Sequence, residues 1–278
     1  MPTQESKAES FRAMHRGPGI LVLPNAWDAS SARIFEESGF HAIATTSAGI
    51  AFALGYPDGQ RIPRKEMLDQ IARIVRAVNV PVTADVEGGY GDRPEDAAQT
   101  ARAVIEAGAI GMNLEDATGD STRPLTYLPL QIEKVKAVIA ATKPAGVPLV
   151  LNARTDVYLA QVGAPESRYE ETLRRLTAFR DAGADCLFAP GICDAATVAK
   201  LTRDLKFPVN ILAGSGSPSV AELEKLGVAR VSVGSGPMRA TLGLVQRFAQ
   251  ELKQHGTYTT MESAPSYDEI NRIMERRS

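Results

Sequence analysis

The sequence predicts an α/β protein in which eight strand–helix units close into one parallel barrel. Short apolar segments typical of buried strands alternate with longer segments in which apolar residues recur at helical spacing. The chain has 278 residues, close to the length of a (β/α)8 TIM barrel, and no linker interrupts the alternation. We therefore expect one barrel domain over residues 1–256 and a C-terminal extension over residues 257–278.

The predicted strands are short and apolar throughout, as expected when helices cover both faces of a parallel sheet. They occupy residues 20–23, 41–45, 80–86, 110–114, 147–152, 185–188, 208–212 and 229–233. A helix is predicted to precede the first strand and to cover residues 3–15. The barrel helices are predicted over residues 28–38, 64–77, 93–107, 130–141, 168–182, 195–204, 219–226 and 238–254.

One predicted helix is surplus to the barrel. It starts at Ser266, extends to residue 277, and carries a narrow apolar stripe of Ile270, Ile273 and Met274. An apolar stripe needs a surface to cover it. We expect this helix to pack across its own barrel or on a neighbouring subunit.

Composition excludes several classes of partner. The net charge of -2 gives no reason to expect nucleic acid or an anionic membrane surface. No apolar run approaches the roughly 20 residues that span a bilayer, and the N-terminus does not resemble a signal peptide. Cys186 and Cys193 fit neither a CxxC pair nor a disulfide framework. The sequence thus predicts a cytoplasmic protein without a membrane or nucleic-acid partner.

Residues 83–91 hold the clearest chemical signal. Asp85 and Glu87 are two residues apart, so their side chains share one face if both lie on a strand. Three glycines within residues 88–91 then allow a sharp turn. Two carboxylates on one face repel each other unless a cation lies between them, and a divalent metal with oxygen ligands is the usual solution. A solvated strand end is the alternative.

Other polar residues are predicted at the same end of the barrel, where sites form in this fold. Carboxylates and one arginine follow neighbouring strands, although Asp116 and Asp156 have the alternative roles of capping helices or pairing with Arg154. The predicted set is Thr45, Thr46, Ser47, Asp58, Asp85, Glu87, Glu115, Asp116, Asn152, Arg154, Asp156 and Asn210.

Four segments resemble the isocitrate lyase/phosphoenolpyruvate mutase superfamily. They are GYPD at 55–58, ADVEGGYG at 84–91, NLED at 113–116 and NARTD at 152–156, and the match in order and spacing covers about residues 18–245. The chain looks most like the carboxyphosphonoenolpyruvate mutase and oxaloacetate decarboxylase-like members. This resemblance implies a (β/α)8 barrel and a homotetramer in which the C-terminal helix is swapped between subunits.

The resemblance also implies a metal site. Asp85, Glu87 and Glu115 would hold Mg2+, or Mn2+ in its place, largely through water, and Asp58 would support them. Carried over by position, Arg154 would bind the carboxylate of a small substrate.

The resemblance further implies a substrate site around this metal. The backbone around Thr46, Ser47 and Ala48 would hold the far end of the substrate, with Asp85 and Asn210 beside it. The three histidines fall away from the predicted rim, so Tyr90 or a metal-bound water is the candidate acid or base. The catalytic candidates are therefore Asp58, Tyr90 and Arg154.

The chain also departs from the family pattern. The lyases carry a lysine–cysteine–glycine–histidine motif after the fourth strand, whereas residues 117–124 here contain neither cysteine nor histidine. Residues 189–191 replace a glutamate of those lyases, and the longer asparagine-bearing loop of the mutase is not evident. These departures disfavour isocitrate lyase activity and phosphonate formation.

The predicted function is a Mg2+-dependent lyase or decarboxylase. Its substrate would be a small 2-oxo or 2-hydroxy dicarboxylate such as oxaloacetate, and the reaction would pass through an enolpyruvate-like intermediate stabilised by the cation. A phosphonomutase is one alternative. A phosphate-binding barrel is another, because Gly/Ser segments at 214–217 and 234–236 follow the last two strands. A non-catalytic 2-oxo-acid binder is the third.

Overall fold

A computed structural model describes residues 2–275 and confirms the predicted α/β barrel. Within these residues, nine parallel strands follow the order β1-β9-β8-β7-β6-β5-β4-β3-β2. Their bounds are Leu21–Leu23 (β1), Asn25–Ala26 (β2), Ile43–Thr45 (β3), Val82–Asp85 (β4), Gly111–Glu115 (β5), Val150–Arg154 (β6), Cys186–Phe188 (β7), Val209–Leu212 (β8) and Arg230–Ser232 (β9).

Strands β1 and β2 are two pieces of the first predicted strand. β1 pairs with β9, whereas β2 pairs with β3, so the two pieces together join the ends of the sheet. Pro24 lies between them and has no N–H to donate to a ladder. Its carbonyl accepts a hydrogen bond from the Ala44 N–H at 3.0 Å. The chain thus changes its partner strand from β9 to β3 at Pro24, whose backbone can accept a hydrogen bond but cannot donate one.

The described residues form eleven α-helices, and each predicted helix is present. They are Gln4–Met14 (α1), Ala29–Glu37 (α2), Ser47–Ala53 (α3), Arg64–Ala77 (α4), Pro94–Glu106 (α5), Leu128–Thr142 (α6), Arg168–Asp181 (α7), Ala195–Leu205 (α8), Val220–Lys225 (α9), Gly236–His255 (α10) and Tyr267–Glu275 (α11). Residue 1 and residues 276–278, including the predicted end of the last helix at 277, lie outside the described part.

Helix α3 was not predicted, because its small residues show no helical periodicity. Thr46 starts it as N-cap, with its side-chain oxygen accepting from the Gly49 N–H at 3.3 Å. This short helix follows β3 directly and brings Ser47 to the C-terminal end of the barrel.

The N-terminal helix α1 contributes to the core at the opposite end. Phe11 is fully buried, and a Cβ added to Gly111 at the start of β5 would come within 3.2 Å of its ring. Above it, the barrel interior is polar, because Asn113, Asn152 and Arg230 are all buried. The Asn152 amide donates to the Asn113 side-chain oxygen at 2.8 Å.

Helix α10 differs from the other long helices. Met238 is the only buried residue among its twenty residues, all of which are described. Its exposed apolar side chains are Leu242, Leu244, Val245 and Leu252. Helix α11 lies against α2 of the same chain, where Arg33 donates to the Ile273 carbonyl at 3.4 Å. Over residues 2–275, no helix has the length and apolar character needed to cross a membrane.

Candidate active site

Three acidic residues meet at the C-terminal ends of β4 and β5. Asp85 ends β4, Glu115 ends β5, and both are nearly buried. Glu87 was predicted to reach the same face by strand alternation, and that reason is wrong because the strand ends at Asp85. Glu87 instead has a φ of +52° in the left-handed region. Its carbonyl accepts from the Glu115 N–H at 3.0 Å, which ties the turn to β5.

Protein donors already hold part of each carboxylate. The Ser47 N–H and hydroxyl donate to Asp85 Oδ2 at 3.0 and 2.9 Å. The Gln60 N–H donates to Glu87 Oε2 at 2.6 Å, whereas Glu87 Oε1 is buried without a hydrogen-bond partner. The backbone that was predicted to bind substrate through Ser47 therefore binds Asp85. Ala48 lies in the first turn of α3, where the helix offers its N–H no acceptor.

The acids are held close together in a site with little water. Burial, together with the charges of Asp58 and Asp85, raises the pKa of Glu87 to about 8. Burial also raises the pKa of Glu115 well above its ordinary value, and Arg154 opposes this shift. Asp58 is exposed in the loop after α3, but partial burial of its carboxyl and the charge of Asp85 raise its pKa. These carboxyls bind protons more tightly than free ones do, mainly because they have lost water and secondly because other acids lie near them.

Arg154 ends β6 and lies among acids. Its Nε and Nη2 donate to the two carboxylate oxygens of Asp156 at 2.5 and 2.7 Å. Its Nη1 pairs with Glu115 Oε2 at 2.7 Å, and its guanidinium lies 5.6 Å from the centre of the Phe188 ring. Burial lowers the pKa of Arg154, but Glu115 and Asp156 raise it by more, so the group stays charged. The open alternative that Asp156 pairs with Arg154 is therefore confirmed.

Tyr90 lies behind the acids on the glycine-rich turn. Its hydroxyl is buried without a hydrogen-bond partner, and its φ is +58°. Burial, and next the charges of Glu87 and Asp85, raise the pKa of Tyr90 above its ordinary value. The phenol therefore keeps its proton beside the carboxylates.

Two side chains that the sequence did not single out support this turn. Gln60 accepts from the Tyr90 N–H at 2.7 Å in addition to its contact with Glu87. Lys134 of α6 is buried and donates to the carbonyls of Gly88 and Gly91 at 2.5 and 3.0 Å. Neither residue belongs to a recognisable motif, and the only possible signal was a lysine on an otherwise apolar face of a helix.

Asn210 is more deeply buried than the other predicted substrate-binding residues. It is fully buried on β8, and its amide donates to the Ser232 hydroxyl at 3.1 Å. Its side-chain oxygen has no partner. The structure therefore places Asn210 inside the barrel, away from the open rim.

The acid cluster fits a hydrated divalent cation better than a directly ligated one. Within residues 2–275, no three His, Cys, Asp or Glu side chains are close enough to bind one ion directly. Glu87 Oε1 is nevertheless buried without a partner, and the donor set is entirely of the carboxylate type that hard cations prefer. Mg2+ keeps several of its waters when it binds protein, so Asp85, Glu87 and Glu115 would reach it through water.

A closed parallel barrel with buried acids and one arginine at the carboxyl ends of its strands has the arrangement of a TIM-barrel enzyme. A sequence model of the phosphoenolpyruvate phosphomutase family matches residues 11–253. The chain therefore belongs to this family, whose members with named activities are lyases and mutases.

Three relatives illustrate the range of the family. An uncharacterised protein of Mycobacterium tuberculosis is 36% identical over 84% of this chain and 84% of its own. The 2-methylisocitrate lyase of Bacillus subtilis is 28% identical, over 92% of this chain and 84% of that protein. The oxaloacetate decarboxylase of Bradyrhizobium diazoefficiens is 27% identical, over 97% and 93% respectively.

Solved structures agree with the fold over almost the whole chain. A Burkholderia cenocepacia protein with the provisional name lyase/mutase is 44% identical, with a TM-score of 0.92, over 98% of this chain and 96% of that one. Oxaloacetate acetylhydrolase in complex with its product oxalate is 25% identical, with a TM-score of 0.86, over 99% and 95% respectively. The chain is therefore similar both to lyases and to a hydrolase of oxaloacetate.

Proposed function

We propose that this protein is a Mg2+-dependent decarboxylase or carbon–carbon lyase for oxaloacetate or a similar 2-oxo or 2-hydroxy dicarboxylate. The observation that carries the proposal is the buried carboxylate cluster of Asp85, Glu87 and Glu115, with raised pKa values at the two glutamates, beside Arg154. Acids that lack sufficient positive charge are suited to holding a cation. The similarity to an oxaloacetate decarboxylase and to an oxaloacetate hydrolase supports the choice of substrate class.

The residues of the site divide the chemistry between them. When bound, the divalent cation supplies the positive charge that polarises a ketone and stabilises the enolate oxygen. Arg154 donates to Asp156 through Nε and Nη2 and pairs with Glu115 through Nη1, and the remaining N–H bonds of its guanidinium would bind a substrate carboxylate. The Ser47 contacts of Asp85 would keep the cluster in place, and Asp58 would add a further negative charge that favours the cation.

Tyr90 is the proposed acid for returning a proton to the enolate carbon. Its raised pKa keeps the phenol protonated, so Tyr90 has a proton to donate and cannot act as a base, but the same shift makes it a weaker acid than a free phenol. This role suits a decarboxylation, in which bond breaking needs an electron sink and the product needs one proton. A lyase reaction of a 2-hydroxy acid also needs a base for the hydroxyl, and the loop over residues 117–124 offers no cysteine or histidine for it.

A phosphonomutase is the second candidate, because the matching family takes its name from a phosphomutase. The phosphate-binding barrel has less support. The Val233 and Gly234 N–H groups both donate to Asn25 Oδ1 at 2.9 Å, and the Gly214 N–H donates to the Ser217 hydroxyl at 3.0 Å. Amides that would hold a phosphate after β8 and β9 are thus used within the protein.

We propose further that the protein forms a homotetramer in the cytoplasm with exchange of C-terminal helices. The exposed apolar side chains of α10, including Leu244 and Val245, support an intersubunit role for α10. In this chain α11 lies against its own α2, and we propose that in the tetramer it takes the equivalent place on a neighbouring subunit. Light scattering on a chain ending at Gly256 should show smaller particles. An unchanged tetramer would argue against exchange of the last helix, and a Leu244→Glu, Val245→Glu variant then tests α10 separately.

The direct test is a substrate screen with Mg2+, Mn2+ and chelator arms. We expect the protein to raise the rate of pyruvate formation from oxaloacetate above the protein-free rate only in the metal arms, and Tyr90→Phe to slow product formation. Phosphonopyruvate and phosphoenolpyruvate in the same screen test the mutase alternative. Binding of oxalate without turnover of any 2-oxo acid would instead support the non-catalytic binder, and equal turnover in chelator would refute the proposed metal dependence.

A further inference from the structure

We propose that Asp116 and Arg175 are positioning residues for Arg154, and that the same pair anchors the loop over residues 117–127. Neither residue touches the proposed substrate position. The functional part of the inference rests on the proposed role of Arg154 in binding a substrate carboxylate, whereas its structural part does not.

Asp156 orients the guanidinium of Arg154. Asp156 takes the Nε and Nη2 edge of the guanidinium, so the position of Asp156 decides where the remaining N–H bonds point. Residue 156 follows the end of β6 and lies outside any helix or strand. A loop residue can orient an arginine reproducibly only if its own backbone is held.

Asp116 provides that anchor. It is fully buried, and its Oδ1 accepts from the Asp156 N–H at 2.9 Å. Its Oδ2 accepts from the Thr155 hydroxyl at 2.7 Å, and its N–H donates to the Arg154 carbonyl at 3.2 Å. One carboxylate therefore fixes two consecutive residues after β6. Asp116 neither caps a helix nor pairs with Arg154, the two roles considered from the sequence.

Arg175 of α7 supplies the charge that a buried carboxylate needs. Its Nη1 donates to Asp116 Oδ2 at 3.0 Å and to the Thr126 carbonyl at 3.1 Å, and its Nε donates to Glu171 at 2.7 Å. The Thr126 N–H donates in turn to the Asp116 carbonyl at 2.7 Å. The ion pair of Asp116 and Arg175 thus contacts both the end of the 117–127 loop, at Thr126, and the segment that follows Arg154.

This arrangement joins Arg154 to the loop that follows the neighbouring strand β5. The 117–127 loop begins one residue after Asp116, and Arg154 lies across the ladder from Glu115. Loss of Arg175 would leave Asp116 buried without its cation, which is costly in a dry interior. The carboxylate would then seek water or other donors, and Asp156 would lose its fixed position.

The test compares two adjacent arginines. Arg175→Met removes the contacts with Asp116 and Thr126, whereas Arg174→Met is the matched control, because Arg174 also pairs with Glu171 but is largely exposed. Calorimetry with Mn2+ and oxalate gives the affinities, and hydrogen–deuterium exchange of residues 154–158 and 117–127 reports the anchoring. We expect Arg175→Met to weaken oxalate binding about tenfold or more, with the Mn2+ affinity changed less than about threefold.

Faster exchange in both segments is expected for Arg175→Met and not for Arg174→Met. If Arg175→Met does not fold, Arg175→Lys replaces it, since an ammonium keeps the charge but cannot reach Asp116, Thr126 and Glu171 together. The double change Arg175→Met, Asp116→Asn should lower the free energy of oxalate binding by less than the sum of the two single changes. The reason is that the double variant no longer buries the Asp116 carboxylate without its cation.

The outcomes separate this inference from the proposed function. A lower melting temperature with unchanged oxalate affinity and unchanged exchange in the two segments would show that the pair is only structural. If the unmodified protein binds no oxalate, the proposed function fails, and the exchange result alone then decides whether the pair anchors the two segments.

Discussion

The two halves of the barrel mouth use their polar groups differently. On the β4 to β6 side, buried acids outnumber the cations near them, and atoms such as Glu87 Oε1 have no partner. On the β8 to β9 side, the Val233 and Gly234 N–H groups both donate to Asn25 Oδ1, and the unpartnered Asn210 Oδ1 and Arg230 nitrogens are buried inside the barrel. A buried polar group without a partner in a native structure needs an explanation, and a bound ligand is one such explanation. The position of Glu87 Oε1 among acids supports the proposal that the β4 to β6 half binds the cation and the substrate.

The largest effect should come from removing the central acid of the β4 to β6 half. We expect Asp85→Ala to lower kcat/KM by about 100-fold or more, because the cation loses its support and the electron sink is lost. Circular dichroism should show an intact fold. Full activity of this variant in the presence of a chelator would refute the metal site.

A smaller effect is expected from the arginine beside these acids. Arg154→Lys keeps the charge but cannot make the side-on pair with Asp156 or offer a fork to a carboxylate. The loss of transition-state binding should be about 1.5–3 kcal/mol in kcat/KM, with little change in melting temperature. Normal kinetics with a normal melting temperature would assign Arg154 to charge balance alone, and normal kinetics with a much lower melting temperature would show that Arg154 is structural.

Because the pKa of Glu87 is raised, the stability of the metal-free protein should depend on pH. Its pKa is raised from 4.5 to about 8, so between these pH values the folded state holds a proton that the unfolded state has released. The stabilisation is complete below pH 4.5 and is lost as pH rises, at up to about 1.4 kcal/mol per pH unit.

In the presence of chelator, we therefore expect the free energy of unfolding to fall as the pH rises from roughly 5 to 8, which is about the window of the Glu87 shift. The fall should be smaller in the Glu87→Gln variant, which has no carboxyl to titrate at this position. Urea unfolding at several pH values measures both, and Glu95→Gln at an exposed position is the control. Added Mg2+ should flatten the dependence, because it replaces the proton. Equal slopes in the unmodified protein and Glu87→Gln would contradict the assignment.

The smallest effect belongs to the β8 to β9 half. Ser217→Ala frees the Gly214 N–H at an exposed turn, and we expect stability and kcat/KM to stay within about 0.5 kcal/mol of the unmodified protein. Competition by phosphate esters, together with a clear loss of activity in this variant, would mean that the second half binds a ligand after all.

Prediction from the sequence was good where the signal was local. Alternating apolar segments predicted the barrel, and residue spacing brought Asp85 and Glu115 to neighbouring strand ends. The helix of residues 47–53 was missed because small residues carry no period, and a tertiary contact, Ser47 with Asp85, makes its start important. The prediction for Glu87 reached the right place for the wrong reason, since a left-handed turn and not strand alternation directs it.

The supporting residues were beyond sequence reasoning. Gln60 lies 27 residues from Glu87, and Arg175 lies 59 residues from Asp116. Each is an ordinary polar residue on a loop or helix until the barrel closes. The same holds for Lys134, whose ammonium reaches carbonyls more than 40 residues away.

The sequence by itself determined the alternation of eight strand–helix units and the acids at the ends of β4, β5 and β6, because side-chain periodicity and turn residues act over a few positions. Only the tertiary structure decided which donors meet those acids and which oxygens stay unmatched. That decision depends on burial and on contacts between distant segments, since a carboxylate such as Glu87 acquires its high pKa only when closure of the barrel removes its water.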